Sequence, residues 1–396
     1  MEQELRISQR AKQYPASGIR KMFDLAAQYP EAIKLTVGEP NFDTPQYIKD
    51  AAKRALDEGQ THYAPNAGTT ELREAVAAKY RKQYWEGYTK DHVIITVGAM
   101  EGLFLAMMTL LDPGDEILVP DPCFPNYYGQ ASSIGARAVP VPTYEEYDYR
   151  IQAADIEKAV TPRTRAILLN SPCNPTGAVL TKEDILAIAK VAKTHDLWVL
   201  TDEPYDAIVY DGIQPYSMAQ VPEMQDRVMV LNSFSKSYAM TGWRIGYAAA
   251  RADIIKGIMK VQSQTTSATS AISQKAAVAA LQGPQYDLHD MVKEFARRKE
   301  YMVKRLNAVP GIVCPDAMGA FYLYPDVQEY LGKSVGERKI ENAMDLCQYL
   351  LDEALVSTVP GEAYNVAGKI RISYSNSMKN LEEGMDRIEK ALAALQ

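Results

Sequence analysis

From about residue 46 to residue 290, short apolar runs alternate with longer stretches of helical periodicity, and this alternation restricts the possible folds more than any other feature. The runs are His92–Val97, Glu116–Val119, Ala138–Val141, Ala166–Leu169, Leu197–Thr201, Val228–Leu231 and Ile245–Ala249. They are short, often β-branched and bounded by Gly, Pro or Asp, which is the pattern of strands. Between them, Thr70–Tyr84 reads as a helix with a capping threonine and an acidic first turn. Gly102–Leu111 is apolar on nearly every face and reads as a buried helix. Thr181–Thr194 has Thr181 as its cap, with Glu183 and Asp184 near the positive helix end. Strands alternating with helices predict an α/β fold: a mostly parallel seven-stranded sheet with right-handed crossovers, flanked by helices.

After residue 290 the pattern changes. Met291–Asn307, Ala343–Leu355 and Asn380–Leu395 are amphipathic, and the strand candidates Ala320–Tyr324 and Lys369–Tyr374 lie between them. A smaller α+β domain is expected over 291–396, beside a large domain over 46–290. Residues 1–45, with a helix candidate at Ile19–Gln28, are expected to join the small one. Lys plus Arg number 43 against 50 Asp plus Glu, a net charge of −7, which disfavours nucleic-acid binding. No apolar run reaches the ~18 residues that a membrane span needs. The four cysteines are scattered without zinc or disulfide spacing, and the four histidines form no metal motif, so no metal is expected. The opening stretch is charged and lacks an apolar core, so the chain reads as cytoplasmic with reduced thiols.

Open parallel sheets bind ligands beyond the carboxyl ends of their strands. Four such ends here carry chemistry: Asn170 to Gly177 (NSPCNPTG), Asp202 to Tyr205 (DEPY), Asn232 to Lys236 (NSFSK), and Gly98-Ala99-Met100 opening a helix. Each residue type also serves ordinary turns, so their convergence on one edge is the informative part. The helix start at Gly98 suits an anion such as phosphate, with Ser233, Ser235 and Arg244 as further donors. Neither G-x-x-x-x-G-K-[ST] nor G-x-G-x-x-G is present, so P-loop and dinucleotide readings lose their main support. A lysine after a buried strand is a Schiff-base nucleophile if desolvation lowers its pKa, and a carboxylate after another can hold a cationic ring nitrogen. Lysine, carboxylate and phosphate cup together match the requirements of pyridoxal phosphate.

At these residues the chain resembles the class I/II aminotransferases of the fold-type I pyridoxal-phosphate enzymes. SFSKSYAMTGWRIGY (Ser233–Tyr247) looks like their lysine-bearing segment. LTVGEPNFDTP, HYAPNAGTTELREA, NSPCNPTG, DEPY and KIRISYS match further family segments in the family's order, over nearly the whole chain. The resemblance implies that Lys236 is the Schiff-base lysine and proton shuttle, and that Asp202 pairs with the pyridinium nitrogen. It implies that Tyr205 and Asn174 bond the cofactor's 3′-oxygen and that Phe124 stacks on its ring. The Ala99 and Met100 backbone, Ser233, Ser235 and Arg244 would hold the phosphate. Tyr63 would reach the phosphate of a neighbouring subunit, which makes a homodimer with a shared site. Arg371 would grip the substrate α-carboxylate, helped by Asn174 and Gly38.

The substrates so implied are an amino acid and a 2-oxo acid such as 2-oxoglutarate. Aspartate-specific relatives of this subgroup commonly carry a lysine where this chain has Met100. Met is flexible and apolar, so neutral, aromatic or medium-length side chains are expected, with the segment at Met22 and Phe23 helping to make a roomy pocket. An aspartate aminotransferase and a β-lyase of the cystathionine β-lyase type are the alternatives.

Overall fold

The computed structural model describes residues 7, 8, 11, 12, 14 and 18–396; the rest of the charged opening stretch lies outside the described residues. All seven predicted runs form one sheet: β1 (Val93–Thr96), β2 (Glu116–Asp121), β3 (Arg137–Pro142), β4 (Thr164–Asn170), β5 (Trp198–Asp202), β6 (Val228–Ser233) and β7 (Gly246–Ala249). Their order is β1-β7-β6-β5-β4-β2-β3. Pairing is parallel throughout β6-β5-β4-β2-β3, and β7 runs antiparallel to both β1 and β6.

The apolar runs are continuous because both faces of the sheet are covered. Ile94, Ile117, Leu168, Leu200, Met229 and Ala248 pack into one core with Leu103, Met107, Tyr127 and Ile258 from three helices. Ile95, Leu118, Ile167, Leu169, Val199 and Val230 face the opposite core, with Ile48, Leu72, Val76, Ile185 and Ile188. Alternate residues of one strand thus belong to different cores, as the two-residue period requires.

Helix bodies agree with the sequence pattern, and their starts show what periodicity misses. The helix at Thr70–Gln83 is capped by Thr69, whose hydroxyl accepts from the Leu72 N–H at 3.4 Å. Lys182–Thr194 begins with a capping box in which the Thr181 hydroxyl accepts from the Asp184 N–H at 3.1 Å and Asp184 Oδ2 accepts from the Thr181 N–H at 2.9 Å. The helix that contains the apolar run from Gly102 begins at Gly98, as the glycine turn after the strand predicts, and Glu101 reaches back to accept from the Val97 N–H. The helix predicted from Met291 begins at Tyr286; of its first turn only Leu288 packs against the small-domain core, while Tyr286 and His289 are exposed.

The smaller domain is built from both ends of the chain. Ile33–Lys34 pairs in parallel with Val356–Ser357. The strand Ile370–Ser373 lies between Val359–Pro360 and Tyr322–Leu323, antiparallel to each. Met22, Ile33 and Leu35 share a core with Phe295, Leu346, Ile372 and Leu381. Arg298 fastens this assembly, donating to Asn41 Oδ1 at 2.7 Å and to the Ser375 carbonyl at 3.1 Å. Among the described residues no helix is long and apolar enough to cross a membrane.

Thr181→Ala removes the hydroxyl half of its capping box and should cost about 1 kcal/mol, read as a lower midpoint in calorimetric unfolding.

Candidate active site

The parallel register sets the first side chains. Asn170, at the end of β4, lies beside Asp202, at the end of β5. Asn170 Nδ2 donates to the Asp202 carbonyl at 2.9 Å, and its Oδ1 accepts from the Asn174 N–H at 3.0 Å. This bond fixes the loop that carries Asn174. Asn174 Oδ1 in turn accepts from Arg371 Nη1 at 3.0 Å, and Arg371 Nη2 donates to the Thr36 carbonyl at 2.6 Å. A strand end of the large sheet is thereby joined to a strand of the small domain.

These groups open on one cavity of about 300 Å³. Gly38, Ala99, Met100, Phe124, Asn174, Asp202, Tyr205, Ser233, Ser235, Lys236, Arg244 and Arg371 all line it. Tyr63 does not. It is 98% exposed and stands in a separate cleft with residues 268–272. Met22, expected near the pocket, is fully buried in the small-domain core, while its neighbour Phe23 lines the cavity.

Asp202 is buried, and its Oδ2 accepts a 2.7 Å bond from the Tyr127 hydroxyl. Oδ1 is buried without any partner. Burial pushes its pKa up to about 7, opposed by the Tyr127 hydrogen bond and by Lys236. A buried carboxylate oxygen with no donor is costly, so this position calls for a cation or an N–H from a ligand. Lys236 responds in the opposite sense. Desolvation lowers it to about 8, Glu39 opposes that, and Arg371 and Arg244 add to it. Its Nζ donates to the Gly38 carbonyl. An amine so placed is a usable base near neutral pH.

At the other end of the cavity, Gly98 has φ +72°, and a Cβ there would sit 2.8 Å from Arg244 Nη2. A Cβ on Gly246 would come within 2.8 Å of the Ala99 nitrogen. Only glycines let β7 and Arg244 approach the helix start this closely. The free N–H groups of that start, two serine hydroxyls and a guanidinium form a cup for a doubly charged anion.

Sequence reasoning missed three cavity-lining residues that matter. Asn170 was seen only as part of a motif. Tyr127 and Tyr322 reach their partners Asp202 and Tyr205 across 75 and 117 residues, so no local pattern marks them. Tyr205 bonds the Tyr322 hydroxyl at 2.9 Å. The four cysteines are all buried and free.

The family model "Aminotransferase class I and II" matches residues 30–388. The chain is 41% identical over 391 residues to the aromatic-amino-acid aminotransferase 2 of Thermococcus litoralis, covering 98% of each chain. It is 42% identical over 381 residues to an aspartate aminotransferase of Pyrococcus abyssi, covering 95% of each. The crystal structure of the aspartate aminotransferase from Rhizobium meliloti superimposes with a TM-score of 0.95 at 38% identity, over 99% of this chain and all of that one.

Gly98→Ala closes the anion cup from inside. Inorganic phosphate should raise the thermal midpoint of the unaltered protein and leave that of the variant unmoved.

Proposed function

The chain belongs to the class I and II aminotransferases, and from that premise we propose how its residues divide the work. It is an enzyme that moves an amino group from an amino acid to a 2-oxo acid. The observation that carries the assignment of roles is the meeting, in one cavity, of a lysine lowered to about 8, a buried carboxylate with an unpartnered oxygen, and a buried guanidinium.

The cofactor we assign is pyridoxal 5′-phosphate, and the residues fit it. Asp202 Oδ1 lacks a donor, and the glycine-walled cup supplies donors and a cation for a phosphate. When bound, it supplies a carbonyl that captures the substrate amine and a protonated ring that draws off the electrons of the breaking Cα–H bond. Asp202 Oδ1 holds the proton on the ring nitrogen, with Tyr127 keeping the other oxygen occupied. Lys236 Nζ takes the proton from the substrate Cα and hands it on. Asn174 and Tyr205 orient the ring oxygen, and Phe124 covers the ring. The Ala99 and Met100 N–H groups, Ser233, Ser235 and Arg244 bind the phosphate. Arg371 grips the α-carboxylate as a planar fork, beside the Gly38 backbone.

Tyr63 belongs, in this reading, to the phosphate site of a second copy, so the working unit is a homodimer. Its 98% exposure and its place in a cleft separate from that cavity support the placement. The domains divide at 45/46 and 290/291, with the helix Tyr286–Ala308 spanning the second border. A cytoplasmic location accords with four free, buried thiols.

The remaining described lining favours neutral or aromatic substrates. Ile19, Phe23, Met100 and Leu103 are apolar, and the cations among the described lining residues, Lys236, Arg244 and Arg371, already have tasks. Aspartate is the second reading, favoured by relatives named for it. A donor panel with 2-oxoglutarate as acceptor separates the two. Phenylalanine, tyrosine or leucine should turn over fastest, and aspartate leading by orders of magnitude reverses the preference. Pyruvate and ammonia released without any oxo acid would mean elimination instead. Lys236→Ala should abolish turnover.

The rate should fall as pH drops through about 8, because protonated Lys236 cannot act as a base. Glu39→Gln removes the carboxylate that raises this pKa. The amine then loses its proton more easily, and the acid limb of kcat/KM should move to lower pH.

A further inference from the structure

Tyr322 touches three separate working parts of the site. It sits on the short strand Tyr322–Leu323, where it pairs across the ladder with Ser373. Arg371 lies two residues from Ser373 on the same strand, so it projects from the same face as the diagonal neighbour of Tyr322. The Arg371 guanidinium carbon accordingly lies 4.5 Å from the Tyr322 ring centroid. The Tyr322 hydroxyl is 2.9 Å from that of Tyr205. The same hydroxyl fills the space above Gly38, where a Cβ would come within 2.6 Å of it. Tyr322 is 1% exposed and lines the cavity.

A guanidinium recognises a carboxylate through N–H bonds in its own plane, so the orientation of that plane decides whether the fork can be used. Asn174 and Thr36 each hold one terminal nitrogen of Arg371. Two such bonds still allow the plane to rock about the line joining them. The Tyr322 ring at 4.5 Å, nearer than the Tyr364 ring at 5.6 Å, restricts that rocking, and its π-face also attracts the cation. Arg371 Nε is buried without a partner, so an in-plane donor remains for a ligand.

We propose that Tyr322 is a positioning residue for the substrate carboxylate: its ring holds the Arg371 fork in plane, while its hydroxyl, bonded to Tyr205, only fills the space beside Gly38. The inference rests on the reading of Arg371 as the carboxylate grip. It adds a link between recognition of the α-carboxylate in the small domain and Tyr205 at a strand end of the large one. Gly38 must be glycine in this account because the Tyr322 hydroxyl occupies the place of its side chain.

The test is titration calorimetry on the cofactor-loaded enzyme with 3-phenylpropionate and with 3-phenylpropionamide, its neutral counterpart. Tyr322→Leu should weaken the acid about tenfold and leave the amide within about twofold. KM for the amino donor should rise by the same factor as the acid's Kd, with a smaller change in kcat. Tyr322→Phe, which keeps the ring, should hold the acid within about twofold of the unaltered enzyme. Equal losses for acid and amide mean that the ring only packs against substrate, and overturn the proposal, as does no loss at all. Arg371→Gln separates the two levels: if the acid keeps its advantage over the amide there, the reading of Arg371 itself fails. A second pair of variants applies should Tyr322→Leu not fold. Gly38→Ala should cost the acid its advantage in the native background and regain it in Tyr322→Phe, where the added methyl meets no hydroxyl. Equal damage in both backgrounds overturns the account of Gly38.

Discussion

The site depends on the register of the parallel strands. Because β4, β5 and β6 run in one direction with Asn170 beside Asp202 and Asp202 beside Leu231, their polar ends form a row along one sheet edge. Burial of both sheet faces makes that row stable, since no polar group can slip inward without losing its solvent or its partner. Every later element docks on this edge. The Gly98 helix start abuts β7, the loop bearing Lys236 follows β6, and Arg371 arrives from the small domain to meet Asn174.

Charge follows the same logic. A chain with a net charge of −7 gathers Lys236, Arg244 and Arg371 around one cavity. Their repulsion joins desolvation in lowering the pKa of Lys236, while burial moves Asp202 the opposite way. The two shifts bring both groups toward neutrality, where each can exchange or hold a proton. Tyr127 tempers the rise at Asp202 by donating to one oxygen only, which leaves the second for a ligand.

The large domain was legible because a strand buried on both faces is largely apolar, and six such runs, with the more exposed edge strand β3, stand out from the helices between them. Helix bodies were legible from periodicity. The start at Tyr286 was less so, since only Leu288 of its first turn packs on the core. Site residues inside short motifs, such as Lys236, Asp202 and Asn174, could be named from sequence and lie together. Tyr127 and Tyr322 could not, because a tyrosine that orients another group looks like any packed tyrosine until distant segments meet. Tyr63 shows the converse: the motif names it, and in a single chain it is 98% exposed and lies outside the cavity.

The small domain made from both ends has a consequence for synthesis. Arg371 and the Thr36 carbonyl that holds it are 335 residues apart. At about 5–20 residues per second, the segment with Thr36 and Gly38 emerges many seconds before the strand it needs. During that interval the large sheet can form with Lys236 in place, while the contacts of Arg371 do not yet exist. The cavity is therefore assembled in two stages, its sheet-edge half first and its Arg371 half only when the last strand arrives.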